Sequence, residues 1–304
     1  MDFGKVKPDQ IINVDFTLPP TTTFTNATLG NHSPSINLEV YVGCAKWGRK
    51  EWVGQIYPPK TKDAQFLDEY VKHFNSIELN AVFYKMPQET QISAWRSKVD
   101  KQGEEFKFCP KFTQGISHLK RLKDAHDLTT EYLKNISAFG KYLGPAFLQL
   151  SDNFGPKNFD ILRKYLKELP VDFDVFVELR HQDWYADHAV RKEVFELFKK
   201  LSKGAIITDA SGRRDCVHME LPTPHAFIRF VGNNLHPTDF TRIDEWAERL
   251  KEWKNNGLQS LYFFLHQHDE AHTPVLAEYT IKKFNEVLNL KLKLPALISN
   301  RTLF

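Results

Sequence analysis

The chain has 304 residues, 41% of them hydrophobic, with 41 basic and 38 acidic side chains and a formal net charge of +3. That content suits one large core, and the even charge gives no argument for a nucleic-acid partner. Three cysteines without close pairing exclude a disulfide-built framework, and no apolar stretch approaches the length of a membrane span or a signal core, so a cytoplasmic protein without membrane contact is expected.

Residues 1–38 read as an irregular, extended arm: positions 19–35 are rich in Thr, Asn, Ser and Pro and carry no helical period. The first apolar run, Glu39–Gly43, opens the regular part of the chain. A helical pattern over 63–74 follows, with Phe66, Leu67, Tyr70, Val71 and Phe74 on an inward face and Asp63 as N-cap. Next come the run Ser76–Asn80, a helix over 89–99, the run Glu105–Lys111, and a helix from Thr129 closed by Gly144. The run Pro145–Gln149 precedes a helix over 158–169 that Pro170 stops. The run Phe173–Arg180 precedes a helix from Ala189 to Gly204, and Ala205–Asp209 leads into residues 210–225, where Gly212, Pro222 and Pro224 predict a loop. Ala226–Gly232, a helix over 244–256, Ser260–His266 and a helix opening at Pro274 complete the series, and a short tail over 291–304 remains.

Eight short apolar runs alternating with amphipathic segments predict parallel strands with helical crossovers, hence an α/β fold: a single (β/α)8 TIM barrel over 39–290 with an extended N-terminal arm. Each run ends in a polar or charged residue, and in such a barrel those ends surround one mouth, where chemistry sits. Glu78, Asn80, Lys111, Gln149, Glu178, Arg180, Asp209, Arg229, His266 and His268 are therefore placed around a common hollow.

Their chemistry suggests roles. Glu78, Glu178 and Asp209 are the candidate catalytic carboxylates, because a carboxylate inside a barrel mouth serves as general acid or base or holds a partner. Lys111, Arg180 and Arg229 are candidate grips for a phosphate or carboxylate, and the loops after the seventh and eighth strands, Gly232-Asn233-Asn234 and His266-Gln267-His268, are where barrels often bind phosphate. Asn80, Tyr84, Gln149, His181, Trp184, His266 and His268 complete the candidate binding set, with Trp184 as a flat face for a ring or sugar. His266-x-His268 has metal-ligand chemistry, but histidines bonded to pocket carboxylates are the commoner outcome, so no metal is assigned. Gly-rich phosphate loops and the serine-hydrolase elbow are both absent from the sequence, and no cofactor is expected.

The segments VGCAKWGRKEWVGQIYP (42–58), FNSIELNAVFYKMP (74–87), FKFCPKF (106–112), LGPAFLQLSDNF (143–154), VFVELRHQDWY (175–185), FIRFVGNN (227–234) and YFFLHQHDEAHTP (262–274) resemble, in order, the motifs of the DUF72 family of YecE-like proteins. The resemblance implies a TIM barrel and no particular reaction. It departs from the family at Gly43-Cys44-Ala45-Lys46-Trp47 and at His266-Gln267-His268-Asp269, and the arm lies outside it. The expected function is binding of, and action on, a small anionic or polar molecule, phosphorylated or sugar-like, by carboxylate acid/base chemistry of a hydrolase or isomerase/lyase kind. The alternatives are a non-catalytic protein that binds a metabolite or a nucleic-acid end, and a metal-dependent barrel hydrolase.

Overall fold

A computed structural model describes residues 4–33, 37–103 and 105–298. Parts of the expected arm (1–3 and 34–36) and tail (299–304) lie outside the described residues. Eight parallel strands run β1 Glu39–Cys44, β2 Ser76–Leu79, β3 Lys107–Pro110, β4 Ala146–Gln149, β5 Val175–Glu178, β6 Gly204–Asp209, β7 His225–Val231 and β8 Ser260–His266. They lie in the order β3-β2-β1-β8-β7-β6-β5-β4, and bridges Phe108–Leu143 and Lys111–Phe147 join β3 to β4. The sheet therefore closes into the (β/α)8 barrel that the alternation of runs predicts.

The helices are α1 Thr23–Leu29, α2 Phe66–Tyr70, α3 Ala81–Tyr84, α4 Glu89–Gln102, α5 His126–Ile136, α6 Phe159–Glu168, α7 Asp183–Ala186, α8 His188–Lys200, α9 Pro237–Asn255 and α10 Thr273–Leu288. Local signals set several helix ends. Gly103 takes a left-handed conformation after α4, and Asn289 does the same after α10. The Asp187 side chain caps α8 by accepting from the amides of Ala189 and Val190. Residues 210–225 hold only a short 3-10 turn, Arg214–Cys216, as their glycine and prolines predict.

Because side chains alternate across a strand, one set faces the helices and the other fills the barrel. The inward set has a lower, apolar part and an upper, polar one. The lower is aromatic: Phe147, Phe176, Phe227, Tyr262 and Phe264 pack with Cys109 and Ile206, and Phe227 lies 5.0–5.6 Å from the rings of Phe264, Phe176 and Phe147. Two residues further along the same strands come Lys111, Gln149, Glu178, Thr208, Arg229 and His266. Period-two spacing thus seats a polar layer directly on an aromatic floor.

The same period corrects one assignment. Thr208 points inward, donating its hydroxyl to Glu178 Oε1 at 2.8 Å. Asp209, the next residue, must face outward. Its carboxylate meets Arg242 Nη2 at 2.7 Å, accepts from Trp246 Nε1 at 2.7 Å and pairs with Arg214, all behind the sheet. Burial alone would raise its pKa; the two guanidiniums outweigh that and hold it below the usual carboxylate value.

The arm also differs from its expected irregularity. Thr23–Leu29 is helical, with Thr22 Oγ1 capping the amide of Thr25 at 3.1 Å. A seven-residue helix has little stability of its own. Here tertiary bonds hold it. Thr25 Oγ1 donates to Met219 O and accepts from Leu221 N, while Thr22 donates to Glu220 and Thr21 accepts from Trp253 Nε1. Phe16 stacks under Arg242 at 4.8 Å, so the arm covers the outward cluster around Asp209.

Removing Asp209 takes from buried Arg242 its nearer carboxylate, at 2.7 Å, and leaves it Asp239 at 3.5 Å. Asp209→Ala is expected to cost about 3 kcal/mol in urea unfolding. A loss below about 1 kcal/mol would contradict this account of the cluster.

Candidate functional site

At the C-terminal end of the strands a cavity of about 550 Å³ opens between the loops after β1, β2, β3, β5 and β8. Four cations line it, Lys46, Arg49, Lys111 and Arg180, with one carboxylate, Glu270. That carboxylate is engaged: Arg49 approaches it at 3.3 Å and Thr273 donates to it at 2.7 Å. Asn80, Gln114, His118, Gln149 and His266 supply neutral polar groups, and Phe83 and Tyr84 form an aromatic wall. Tyr84 is 74% exposed and stands at the rim.

Beneath this cavity lies a fully buried ionic layer. Arg229 donates from Nε and Nη2 to the two oxygens of Glu78, both at 2.8 Å, and from Nη1 to both oxygens of Glu178 at 2.8 Å. Asn80 and His266 complete the shell of Glu78 at 2.7 and 3.0 Å. Thr208 and Arg180 complete that of Glu178 at 2.8 and 3.3 Å. Burial would push both carboxyls up. Arg229 and His266 outweigh it at Glu78 and hold it well below the usual range. Arg180 and Arg229 do so at Glu178, which is lowered to about 2. Both carboxylates are therefore ionised and saturated with donors.

Lys111 is the exception in this layer. Its side chain is only 7% exposed yet lines the cavity, and its Nζ donates to neutral Gln149 Oε1 at 2.9 Å. It lies 4.2 Å over the Phe83 ring and 5.9 Å from that of Phe147. Among the described residues no carboxylate lies within ion-pair distance of it. Burial, then the nearby charge of Arg229, lowers its pKa to about 7. His118 in the same wall is also held neutral, lowered to about 4 by burial and by Lys111.

Of the residues singled out in sequence, Asn80, Tyr84, Lys111, Gln149, Arg180 and His266 line the cavity, and Glu78, Glu178 and Arg229 lie directly below it. Four do not join them. Asp209 faces outward, as described. Trp184 is fully buried, donates to Phe154 O at 2.7 Å and packs edge-on to Phe159, so it offers no open face. His181 sits against Gly155 and caps the amide of Asp183 at 3.2 Å. His268 lies past the end of β8 and does not line the cavity. Lys46, Arg49, Phe83, Gln114 and Glu270 were not anticipated. Each lies in a loop or short helix just past a strand end, and the rule that such loops build the mouth is the signal that finds them.

The loop after β7 departs from the phosphate-binding expectation. Its amides converge, but the carboxylate of Asp239 at the start of α9 occupies them. Asn233 N donates to both of its oxygens at 2.9 and 2.8 Å, and Leu235 N donates at 3.1 Å. A Cβ on Gly232 would lie 2.7 Å from Gln267 and 2.9 Å from Asp239, so the close packing of this plug requires glycine there. Nor is a metal centre formed by His266, which bonds Glu78 instead. Among the described residues no group of three or more His, Cys, Asp or Glu side chains is disposed to hold a metal ion. A second cavity, about 570 Å³, opens at the other end of the barrel beside Glu39, Asp172, Asp174 and Lys107. In this fold that end serves stability rather than chemistry.

The family described as "Protein of unknown function DUF72" matches residues 41–298. The chain belongs to the DUF72 family. It is 27% identical over 283 residues to the UPF0759 protein YecE of Escherichia coli strain K12, covering 87% of this chain and all of that one. Against the UPF0759 protein YunF of Bacillus subtilis it is 34% identical over 82 residues, 27% of each chain. Solved DUF72 proteins share the fold. One from Enterococcus faecalis V583 superposes with a TM-score of 0.63 at 18% identity, covering 84% of this chain and all of that one. One from Thermotoga maritima MSB8 gives 0.60 at 22% identity, covering 83% of this chain and all of that one. The arm precedes the matched region. Among the described residues no helix is long and apolar enough to cross a membrane.

Two pH effects follow. The native Glu178 carboxyl titrates near 2 against an ordinary 4.5, so the unfolded chain binds more protons between those values. Its stabilisation is complete above pH 4.5 and is lost as pH falls toward 2, and Glu178→Gln is expected to flatten that part of the acid-unfolding curve. An unchanged slope would contradict the shift. Lys111 works in the opposite direction: its native pKa of about 7 lies below the ordinary 10.5, so its cost is greatest below pH 7 and fades as pH rises toward 10.5. Lys111→Met should therefore gain more stability at pH 6 than at pH 9, by about 1.4 kcal/mol per pH unit within the window. Equal gains in urea unfolding at both pH values would refute it.

Proposed function

We propose that the barrel mouth binds a small anionic molecule and acts on it. The supporting observation is the charge of the cavity wall: four cations face one carboxylate, and Arg49 already engages that carboxylate. The carboxylates below are taken up by Arg229, with Arg180 3.3 Å from Glu178 and 3.9 Å from Asp152, so a ligand's negative charge meets Lys46, Arg49 and Lys111 first and Arg180 beside them. The volume of about 550 Å³ is that of a metabolite site. Neutral donors and acceptors, Asn80, Gln114, Gln149 and His118, suit a ligand with hydroxyl or carbonyl groups beside its charge.

In this reading Glu78 and Glu178 are positioning residues. Carboxyls held ionised this firmly are weak bases, and their task is to fix Arg229, Arg180, Asn80 and His266. Lys111, its pKa lowered to about 7, is a cavity group that changes protonation near neutral pH, which favours catalysis over simple binding. The cysteines Cys44, Cys109 and Cys216 are buried free thiols, which suits a reducing, cytoplasmic setting.

Calorimetric titration with ribose 5-phosphate tests the pocket. Saturable binding that weakens with added salt is expected, and Arg180→Gln should weaken it about ten- to a hundredfold, the worth of one charge-assisted hydrogen bond. Unaltered affinity in that variant, or no saturable binding of this or other small phosphates and polycarboxylates, would refute the assignment.

A further inference from the structure

We propose that Lys111 is an amine nucleophile, and that the molecule taken up by the mouth is an aldehyde or ketone that also carries a phosphate or carboxylate. The inference rests on the anion-binding reading of the same cavity and narrows its ligand class.

The geometry supports it at three points. First, Lys111 lines the cavity, and its Nζ donates to the neutral acceptor Gln149 at 2.9 Å. Second, the two carboxylates that would ordinarily neutralise a buried ammonium are both committed to Arg229, at 2.8 Å on every contact. An ammonium left without a carboxylate in a desolvated site is costly, and the site relieves that cost by releasing the proton. Third, Lys111 is buried, with the Phe83 ring 4.2 Å and the Phe147 ring 5.9 Å from Nζ, and aromatic walls suit the flat carbonyl that would approach it. Desolvation beside other cations is how a lysine becomes a nucleophile at neutral pH.

The charged and titratable groups facing this amine are Arg229 from β7, Glu178 from β5, Arg180 after β5, Glu78 from β2 and His118 after β3. Burial with the Arg229 and Arg180 charges favours the free amine, and the two carboxylates oppose them. Free amine is therefore abundant at pH 7.5.

The step balances without any further reactant. The nitrogen lone pair of neutral Lys111 attacks the carbonyl carbon, forming a C–N bond as the C=O π pair moves to oxygen. One amine proton passes to that oxygen, giving a carbinolamine. A proton from solvent adds to its hydroxyl, water leaves as the nitrogen lone pair forms the C=N bond, and the resulting protonated imine returns its N–H proton to solvent. The sum is amine plus carbonyl giving imine plus water. Lys46, Arg49 and Arg180 hold the anionic end and so fix which carbonyl carbon faces Nζ.

The full chain is incubated at pH 7.5 with glyceraldehyde 3-phosphate or with glyceraldehyde, reduced with cyanoborohydride, digested and mapped by mass spectrometry. With the phosphorylated aldehyde, the adduct is expected on Lys111 at least about tenfold faster than on any surface lysine, owing to its larger free-amine fraction. Its rate should rise through pH 7, fall on addition of inorganic phosphate, and vanish in Lys111→Arg and Lys111→Met, with circular dichroism confirming the fold of both. Labelling of Lys111 no faster than surface lysines, while ribose 5-phosphate still binds saturably, overturns the nucleophile and leaves the anion pocket standing. Fast labelling by both aldehydes without competition from phosphate keeps the nucleophile and overturns the anion pocket.

Discussion

Arg229 joins the two halves of the barrel mouth. It reaches from β7 to Glu78 on β2 and to Glu178 on β5, so one guanidinium ties three strands at the level where the cavity begins. The aromatic layer below excludes water from this contact, which strengthens the attraction and also raises the cost of any unmatched charge. Five further contacts follow from the same constraint. With both carboxylates fixed, Asn80, His266, Thr208 and Arg180 have defined partners, and Lys111 is left with Gln149. A buried ion cluster of this kind is weak evidence for stability, because its desolvation offsets much of its attraction. Its presence at the mouth is better accounted for by the field it imposes on the groups above it.

The eight strands were legible because a parallel strand buried on both faces reads as a short apolar run. Gly103 and Asn289, in left-handed conformations, end the helices beside them, and Pro170 blocks continuation after α6. The mouth residues on strands were legible for a related reason: Glu78, Lys111, Gln149, Glu178, Arg229 and His266 all stand two residues beyond an inward, mostly aromatic or small side chain. Asp209 was misplaced because proximity to a strand end was used without the alternation that Thr208 sets. His181 and Trp184 lie far enough past β5 for the short helix α7 to turn them away.

Other parts had no local signal. The helix Thr23–Leu29 has no apolar periodicity and, apart from Ala27 and Leu29, only weak helix formers, and its buried Thr25 acquires partners only when the rest of the barrel is in place. Lys46 and Arg49 sit in a loop whose path no periodicity fixes. The pairing of Arg229 with both glutamates joins residues 151 and 51 positions apart, a distance across which spacing in sequence carries no information.

Asp239 has a wider implication. By filling the cradle of amides after β7, it removes a recognition element that main-chain geometry alone would have provided. Under the anion-binding proposal, discrimination among ligands would fall on long, rotatable side chains, Lys46 and Arg49 after β1 and Arg180 after β5. Main-chain cradles can be altered only by rebuilding a turn, whereas a lysine or arginine can be exchanged by a single codon change. Under that proposal, a barrel arranged this way could change its preferred ligand without disturbing its framework.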